Sequence, residues 1–202
     1  MTIKVLCEGK TEEGLRPLLE NAVGVKGCGL HIKAYDGVTK LLGKLDSTVR
    51  EELNCGAKFV FCLVDYYHFP LPEKQRTLPR NKRVVAIQNF VTEKLDESYR
   101  SALRCYVVLH EVEAWILADE KVVAQRLRTK TLPSWQQPET INGMNPPAKE
   151  LEKLFRTKLK KPYDKYKDGG DLLKRVDWQK VYAKCPTFKK LVDELRSLCQ
   201  QQ

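Results

Sequence analysis

Residues 5–14, VLCEGKTEEG, lead from an apolar strand into a helix, and this junction decides the fold. The Gly-Lys-Thr tripeptide at residues 9–11 matches the end of a phosphate-binding P-loop, but the glycine that opens such a loop would have to replace Lys4. Residues 3–7 form a continuous apolar run, which leaves no room for that loop. The stretch therefore predicts a strand, a tight turn at Gly9 and a helix, with Glu8 at the carboxyl end of the strand.

The rest of the first half repeats this alternation. The segment KFVFCLV, residues 58–64, is continuously apolar and aromatic, as is typical of a strand covered on both faces. Strands are predicted at residues 3–7, 30–35, 58–64 and 105–109, and helical periodicity occurs at 11–22, 38–53, 84–95 and from 113 onward. Alternating strands and helices predict an α/β fold with a mainly parallel sheet flanked by helices.

The character of the chain changes after Asp119. Residues 132–147 form a loop rich in Pro, Gln and Asn, basic helical segments follow, and residues 187–198 form an amphipathic helix. We therefore expect an α/β core at residues 1–118 and a basic helical cap at 119–202 that packs on the core.

Composition narrows the class of protein. The chain has 202 residues, a net charge of +10 and 42% hydrophobic residues. No apolar run approaches the ~20 residues of a membrane span, and the N-terminus lacks a secretory signal. The seven cysteines contain no Cys-x-x-Cys pair, so we expect reduced thiols in a cytoplasmic protein, without a zinc site or a disulfide framework.

Basic residues cluster at 76–83 and 149–167. Such clusters suit a polyanion, because each phosphate that is neutralised releases counterions. A lysine-rich surface that only keeps the protein soluble has the same composition, so charge alone leaves both interpretations open.

Acidic residues follow three of the predicted strands. Glu8 ends the first, Asp65 ends the third, and Glu111 and Glu113 follow the fourth, while Glu12 lies four residues after Glu8. The carboxyl ends of parallel strands meet at one edge of the sheet, where ligands bind. Oxygen donors without histidine suit Mg²⁺ or Mn²⁺. Glu12 could instead favour the helix N-terminus through the helix dipole, and Glu111 and Glu113 could be solvated residues near a helix start. Asp65 could serve a turn.

Four fragments together resemble a known family: CEGKTEE, LVDYYHFP, HEVEAWILAD and KPYDKYKDGGDLLKRVD. They are similar to Toprim-fold proteins, which include primases, topoisomerases and overcoming-lysogenization-defect nucleases. They look more closely like the bacterial domain of unknown function 4276. The resemblance runs from Ile3 to about Leu195 and implies a Toprim-like sheet.

The resemblance also implies roles for single residues. Glu8 matches the first-strand glutamate that binds metal or acts as acid/base, Glu12 matches an additional nuclease acid, and Asp65 matches the first Asp of the Asp-x-Asp motif. The second Asp position is Tyr67, so another carboxylate must compensate in a full metal site. We expect Glu113 to do so, in preference to Glu111.

Other candidates come from the side-chain chemistry. His68 and His110 could shuttle protons or bind metal, and Lys10 or Lys165 could stabilise charge on a phosphorane. Each could equally be an ordinary surface residue. We expect Trp115 to lie in the core, since its neighbours form an apolar helix.

The sequence therefore supports competing hypotheses. The first is a metal-dependent nuclease acting on DNA or RNA, with Glu8, Asp65, Glu113 and Lys165 as catalytic residues and with Glu12 and Glu111 as further ligands. The family resemblance implies a partner ATPase in genome defence. The second is a non-catalytic module that binds nucleic acid or a partner through a degenerate site. A nucleotidyl transferase of primase type is a third.

Overall fold

The computed structural model describes residues 2–25, 27–67, 69–109, 112–140 and 146–201. The chain forms two compact units. The first contains Met1–Lys10 and Gly27–Val108, and the second contains Thr11–Lys26 and Leu109–Gln202. These bounds differ from the predicted division at residue 118, mainly because residues 11–26 join the second unit. The predicted packing of a C-terminal cap on the core stays a prediction.

The first unit contains a four-stranded sheet. Its strands are β1 (Thr2–Cys7), β2 (Gly29–Ala34), β3 (Val60–Asp65) and β4 (Leu103–Val108). The order across the sheet is β2-β1-β3-β4, and every neighbouring pair is parallel. The predicted α/β class with a parallel sheet is confirmed, and each strand falls within two residues of its predicted position.

The helices, in chain order, are α1 (Leu15–Val23), α2 (Val38–Asn54), α3 (Glu73–Arg76), α4 (Arg80–Thr92), α5 (Glu113–Leu117), α6 (Glu120–Arg126), α7 (Pro147–Leu159), α8 (Gly170–Leu173), α9 (Trp178–Lys184) and α10 (Pro186–Gln200). In the first unit, α2 packs on β1 and β3, and α4 packs on β4. Helix α4 begins four residues before the predicted start, because its first turn is basic and carries no apolar periodicity.

The second unit is helical. Helix α10 packs on α1 and α9, while α5 packs on α6, α7 and α8. Trp115 is fully buried, lies 5.1 Å from the ring of Phe188, and donates a hydrogen bond from Nε1 to Glu139 Oε1 at 2.9 Å. The predicted core position of Trp115 is confirmed, and a role in base stacking is excluded by its burial.

Lys4 occupies the position where a P-loop would need its first glycine, and it is a buried residue of β1. It lies within the strand, is only 5% exposed, and pairs with Glu52 Oε1 at 2.7 Å. Its ammonium also donates to His31 Nδ1 at 2.8 Å. Because a buried charge needs such partners, Lys4 is a structural residue of the sheet.

The thiols are mostly structural. In the described part of the chain, five cysteines form no disulfide: Cys7, Cys55, Cys62, Cys105 and Cys185. A hydrogen bond with Cys105 and burial raise the pKa of the Cys62 thiol, and burial raises that of Cys185, so both stay protonated. Cys28 and Cys199 are disulfide-bonded, so the expectation of reduced thiols is wrong at these two positions.

Over the described ranges, none of the helices has the length and apolar character that crossing a bilayer demands.

Candidate functional site

The first unit brings Glu8 and Asp65 to neighbouring strand ends. Glu8 directly follows β1, and Asp65 is the last residue of β3. The two strands are adjacent and parallel, with Cys7 paired to Leu63, so both acids leave the same edge of the sheet. Adjacent strands lie about 4.8 Å apart. Both acids are half-buried.

The strand order makes this edge a candidate binding site. From β1 the chain moves outward to β2, then returns to the other side of β1 to form β3. The order therefore reverses between β1 and β3, and open α/β sheets bind ligands at the carboxyl ends of strands where such a reversal occurs. Glu8 and Asp65 flank that point.

Backbone contacts fix the turn after β1. The amide of Tyr35 donates to the carbonyl of Cys7 at 2.8 Å, and the amide of Gly37 donates to the carbonyl of Glu8 at 2.7 Å. Gly37 has a φ of +96°, which only glycine adopts at low cost. The main chain of Glu8 is thereby tied to the segment between β2 and α2.

The second unit holds the other described acids of the prediction. Glu12 is 6% exposed and Glu113 is 2% exposed. Glu113 is the first residue of α5, and its Oε1 lies 4.0 Å from Lys165 Nζ. The backbone carbonyl of Lys165 accepts a 3.2 Å hydrogen bond from the Thr11 hydroxyl. Thr11 and Lys165, from two motifs that are remote in sequence, therefore meet within this unit.

A short π-helix at Lys165–Gly169 presents Lys165. Asp168, near its end, accepts hydrogen bonds from Lys161 Nζ at 3.0 Å and from the Arg126 guanidinium. Burial opposes ionisation of Asp168, but the bonds from Lys161, the Asp164 amide and Arg126 outweigh it, so the pKa of this carboxyl is lowered. The ionised Asp168 carboxylate therefore holds the turn through these hydrogen bonds.

Glycines permit the close approach of these motifs. A Cβ on Gly14 would lie 2.6 Å from the carbonyl oxygen of Gly170, and a Cβ on Gly169 would lie 2.9 Å from Thr11 Cγ2. Both distances are too short for any larger residue without movement. Gly14 and Gly169 therefore allow the two motifs to pack closely, whereas a Cβ on Gly170 would meet the Thr11 carbonyl oxygen at an ordinary 3.9 Å.

Several predicted residues lie outside the described part of the chain. Glu111, His68 and His110 fall there, and the side chain of Lys10 is also not described. In the described ranges, no three His, Cys, Asp or Glu side chains form a group that could hold a metal ion. A single site formed by Glu8, Asp65 and Glu113 stays a prediction, since Glu113 belongs to the second unit.

Comparison with known proteins establishes the family. The model of a domain of unknown function, DUF4276, matches residues 7–196. The chain belongs to this family. The solved C-terminal region of the Burkholderia pseudomallei OLD protein is similar in fold to this DUF4276 domain, with a TM-score of 0.50 and 13% identity over 98% of each chain. No curated protein matches the sequence.

These findings confirm the Toprim-like fold that the four sequence fragments indicate. At 13% identity the likeness to the OLD region shows the fold alone. The sequence does not indicate the hydrogen bond of Thr11 to Lys165 or the pairing of Arg126 with Asp168. Asp168 lies in the KDGG fragment, which is part of the family resemblance.

Proposed function

We propose that this DUF4276 protein is a divalent-metal-dependent phosphodiesterase of Toprim type that cuts DNA or RNA. The observation that carries the proposal is the position of Glu8 and Asp65 at the ends of β1 and β3, where the strand order reverses. The fold that the domain shares with the C-terminal region of the OLD protein supports it.

The chemistry of the acids fits a hard cation. Carboxylate oxygens suit Mg²⁺ or Mn²⁺, and we assign Glu8 and Asp65 as ligands. Further oxygen donors come from Glu12, Glu111 and Glu113 in this proposal. A bound ion would neutralise the scissile phosphate and lower the pKa of an attacking water.

Lys165 has the role of stabilising negative charge that develops on the phosphoryl group. Its side chain is about half exposed, and its ammonium lies 4.0 Å from the buried carboxylate of Glu113. That carboxylate and the hydrogen bond from Thr11 to the Lys165 carbonyl support a fixed position for the cation.

A partner ATPase completes the proposed system. In the OLD protein this fold is a C-terminal region, and we propose that a separate ATPase works with the DUF4276 protein as the effector of genome defence in the cytoplasm.

A binding module without catalysis is the second candidate. It is favoured by Tyr67, which occupies the second acid position of the Toprim pattern and is 43% exposed. In that case the same edge binds nucleic acid or a partner and does not cut.

The test is a cleavage assay on labelled DNA and RNA, single- and double-stranded, with Mg²⁺, Mn²⁺ or EDTA, with and without the partner ATPase. Glu8→Gln and Asp65→Asn should each lower the rate by at least about 100-fold, because a lost ligand removes transition-state stabilisation. Glu13→Gln is the matched control, since Glu13 is an exposed neighbour of Glu12. Cleavage that survives EDTA or both ligand variants would reject the metal mechanism.

A further inference from the structure

An exposed aromatic side chain stands beside the proposed ligand Asp65. Among the described residues, the large hydrophobic side chains that are exposed are Tyr67, Val85 and Tyr166. Tyr67 is 43% exposed and lies two residues beyond Asp65. A single exposed apolar side chain is common on protein surfaces, so the significance of Tyr67 depends on its position beside Asp65 and on the contacts that hold it.

The backbone that carries Tyr67 is firmly held. The Tyr66 amide donates to the carbonyl of Val108 at 2.9 Å, which ties the loop to the end of β4. From the other side, Arg83 Nη2 donates to the carbonyls of Tyr66 and Tyr67 at 3.1 and 3.3 Å. The Arg83 guanidinium also lies 4.4 Å from the centre of the Tyr66 ring.

Tyr66 in turn supports Tyr67. The Tyr66 ring is 8% exposed and meets the Tyr67 ring edge-on, at 5.2 Å between centroids. A ring supported in this way loses little further freedom when it binds a ligand, which favours affinity.

The segment that follows is strongly basic. Residues 73–83 contain five basic residues and one acid, Glu73. Arg83 is engaged with the loop, and Arg76 Nε donates to the carbonyl of Leu71 at 2.6 Å. In the described part of the chain, no carboxylate forms an ion pair with Lys74 or Lys82, and both lysines are exposed. Their charge is therefore available to a polyanion.

We propose that Tyr67 stacks on an unpaired nucleobase while Lys74 and Lys82 contact the adjoining phosphates, so that the substrate class is single-stranded or locally unpaired nucleic acid. This deepens the proposed function and rests on it. Stacking on an aromatic ring requires a free base face, which a continuous duplex does not offer, and it tolerates any base. These features all belong to the first unit and to one stretch of 18 residues, 66–83: the exposed ring of Tyr67, its support by Tyr66 and Arg83, and the two lysines.

The test is binding of fluorescent oligonucleotides of about 15 nucleotides to the full chain in EDTA, where metal-dependent cleavage cannot occur. Tyr67→Ala should weaken binding of single strands by about 10-fold, because each stacked base contributes that order of affinity. Binding of the matched duplex should change less than about 2-fold. Tyr67→Phe and Tyr67→Trp should bind as the native protein does. Val85→Ala is the control, since Val85 is also exposed, at 52%, but is not aromatic.

The lysines are tested in the same assay. The double substitution Lys74→Gln/Lys82→Gln should reduce the slope of log affinity against log salt by about 1.4, or about 0.7 for each lost phosphate contact. Lys44→Gln, an exposed lysine on α2, should leave the slope unchanged.

The outcomes separate this inference from the proposed nuclease. Selective loss of single-strand binding in Tyr67→Ala supports the inference even if the native protein never cuts. Equal loss for single strand and duplex, full binding by Tyr67→Ala, or failure of Tyr67→Phe to bind overturns it even if the protein is an active nuclease. Circular dichroism of every variant verifies that the fold is retained.

Discussion

By the sequence resemblance, Tyr67 occupies the position of the second acid of the Toprim pattern, and the number of carboxylates near the proposed metal depends on it. A tyrosine hydroxyl at neutral pH is a poor ligand for a hard cation in comparison with a carboxylate. We propose that Glu113 compensates, since its side chain is 2% exposed and its Oε1 lies 4.0 Å from Lys165 Nζ. Buried carboxylates are retained where their charge has a partner or a function.

Calorimetric titration with Mn²⁺ tests whether Glu113 supplies the carboxylate that is missing at position 67. Asp65→Ala and Glu113→Ala should each weaken Mn²⁺ binding by about 10-fold or more, because ligand charge controls divalent affinity. Tyr67→Phe removes only a hydroxyl and should leave the affinity unchanged, whereas Tyr67→Asp should strengthen it. Unchanged affinity in both Asp65→Ala and Glu113→Ala would mean that no such site exists, and the binding module would then be the better hypothesis.

At the scale of residues, the local sequence pattern predicts that Glu8 and Asp65 lie at strand ends, but it does not predict the partners of Lys165. A strand followed by an acid is visible in the sequence, and the geometry of parallel sheets then places that acid at the edge. The contact between the Thr11 hydroxyl and the Lys165 carbonyl joins residues 154 apart. Sequence periodicity reports only on neighbouring residues, so this contact is visible only in the structure.

Among the elements, the π-helix at Lys165–Gly169 has the most direct bearing on the proposed chemistry, because it presents Lys165. Single π-turns are rare and frequently occur at functional sites. Here the turn is stabilised by Asp168, whose carboxylate is 6% exposed and binds both Lys161 and Arg126. The geometry of the turn therefore depends on a charge.

Asp168→Asn should lower the free energy of unfolding by about 1–3 kcal/mol near pH 7, because it leaves two cations without their carboxylate. The pKa of Asp168 is lowered by folding, so its ionised form stabilises the native state above its ordinary value of 3.8. That contribution is lost as the pH falls through the folded pKa. Urea unfolding at about pH 7 and about pH 3 should therefore show a difference between variant and native protein that shrinks in acid.

Asp171→Asn is the matched control for this measurement. Asp171 belongs to the same segment, but it is 72% exposed and lies 3.8 Å from Lys174. Such surface pairs contribute about 0–1 kcal/mol. A difference for Asp168→Asn that stays constant down to about pH 3 would show that the carboxylate is not the source of the stability.

Elements with strong periodicity were located well from sequence, and those that depend on remote contacts were not. Helix α2 was predicted at 38–53 and runs from Val38 to Asn54, because its apolar residues recur at helical spacing. The helix predicted at 11–22 instead begins with 3-10 geometry at Lys10–Gly14 and becomes α-helical at Leu15. Close contact between Gly14 and Gly170 accompanies that tighter turn.

For the whole molecule, the net charge of +10 does not say which cations can bind a polyanion, because some of them are paired with carboxylates. In the basic segment 149–167, Lys149 and Arg156 share Glu152, while Lys161 binds Asp168. Four exposed lysines have no ion pair among the described residues: Lys153, Lys158, Lys160 and Lys167. The composition revealed the excess of charge, but only the structure separates cations that are internally neutralised from those that can meet phosphates.

This separation leads to a prediction about salt dependence. Replacing the four unpaired lysines with glutamine should reduce the slope of log affinity against log salt by up to roughly 3 for single-stranded nucleic acid, because about 0.7 is lost for each phosphate contact. Lys149→Gln/Arg156→Gln should change the slope by much less per charge, since both cations already neutralise Glu152. The measurement is fluorescence anisotropy over a range of KCl concentrations in EDTA. If the paired and unpaired sets reduced the slope equally per charge, ion pairing would not decide which cations meet phosphates. An unchanged slope in the fourfold variant would show that this basic segment is not a nucleic-acid surface.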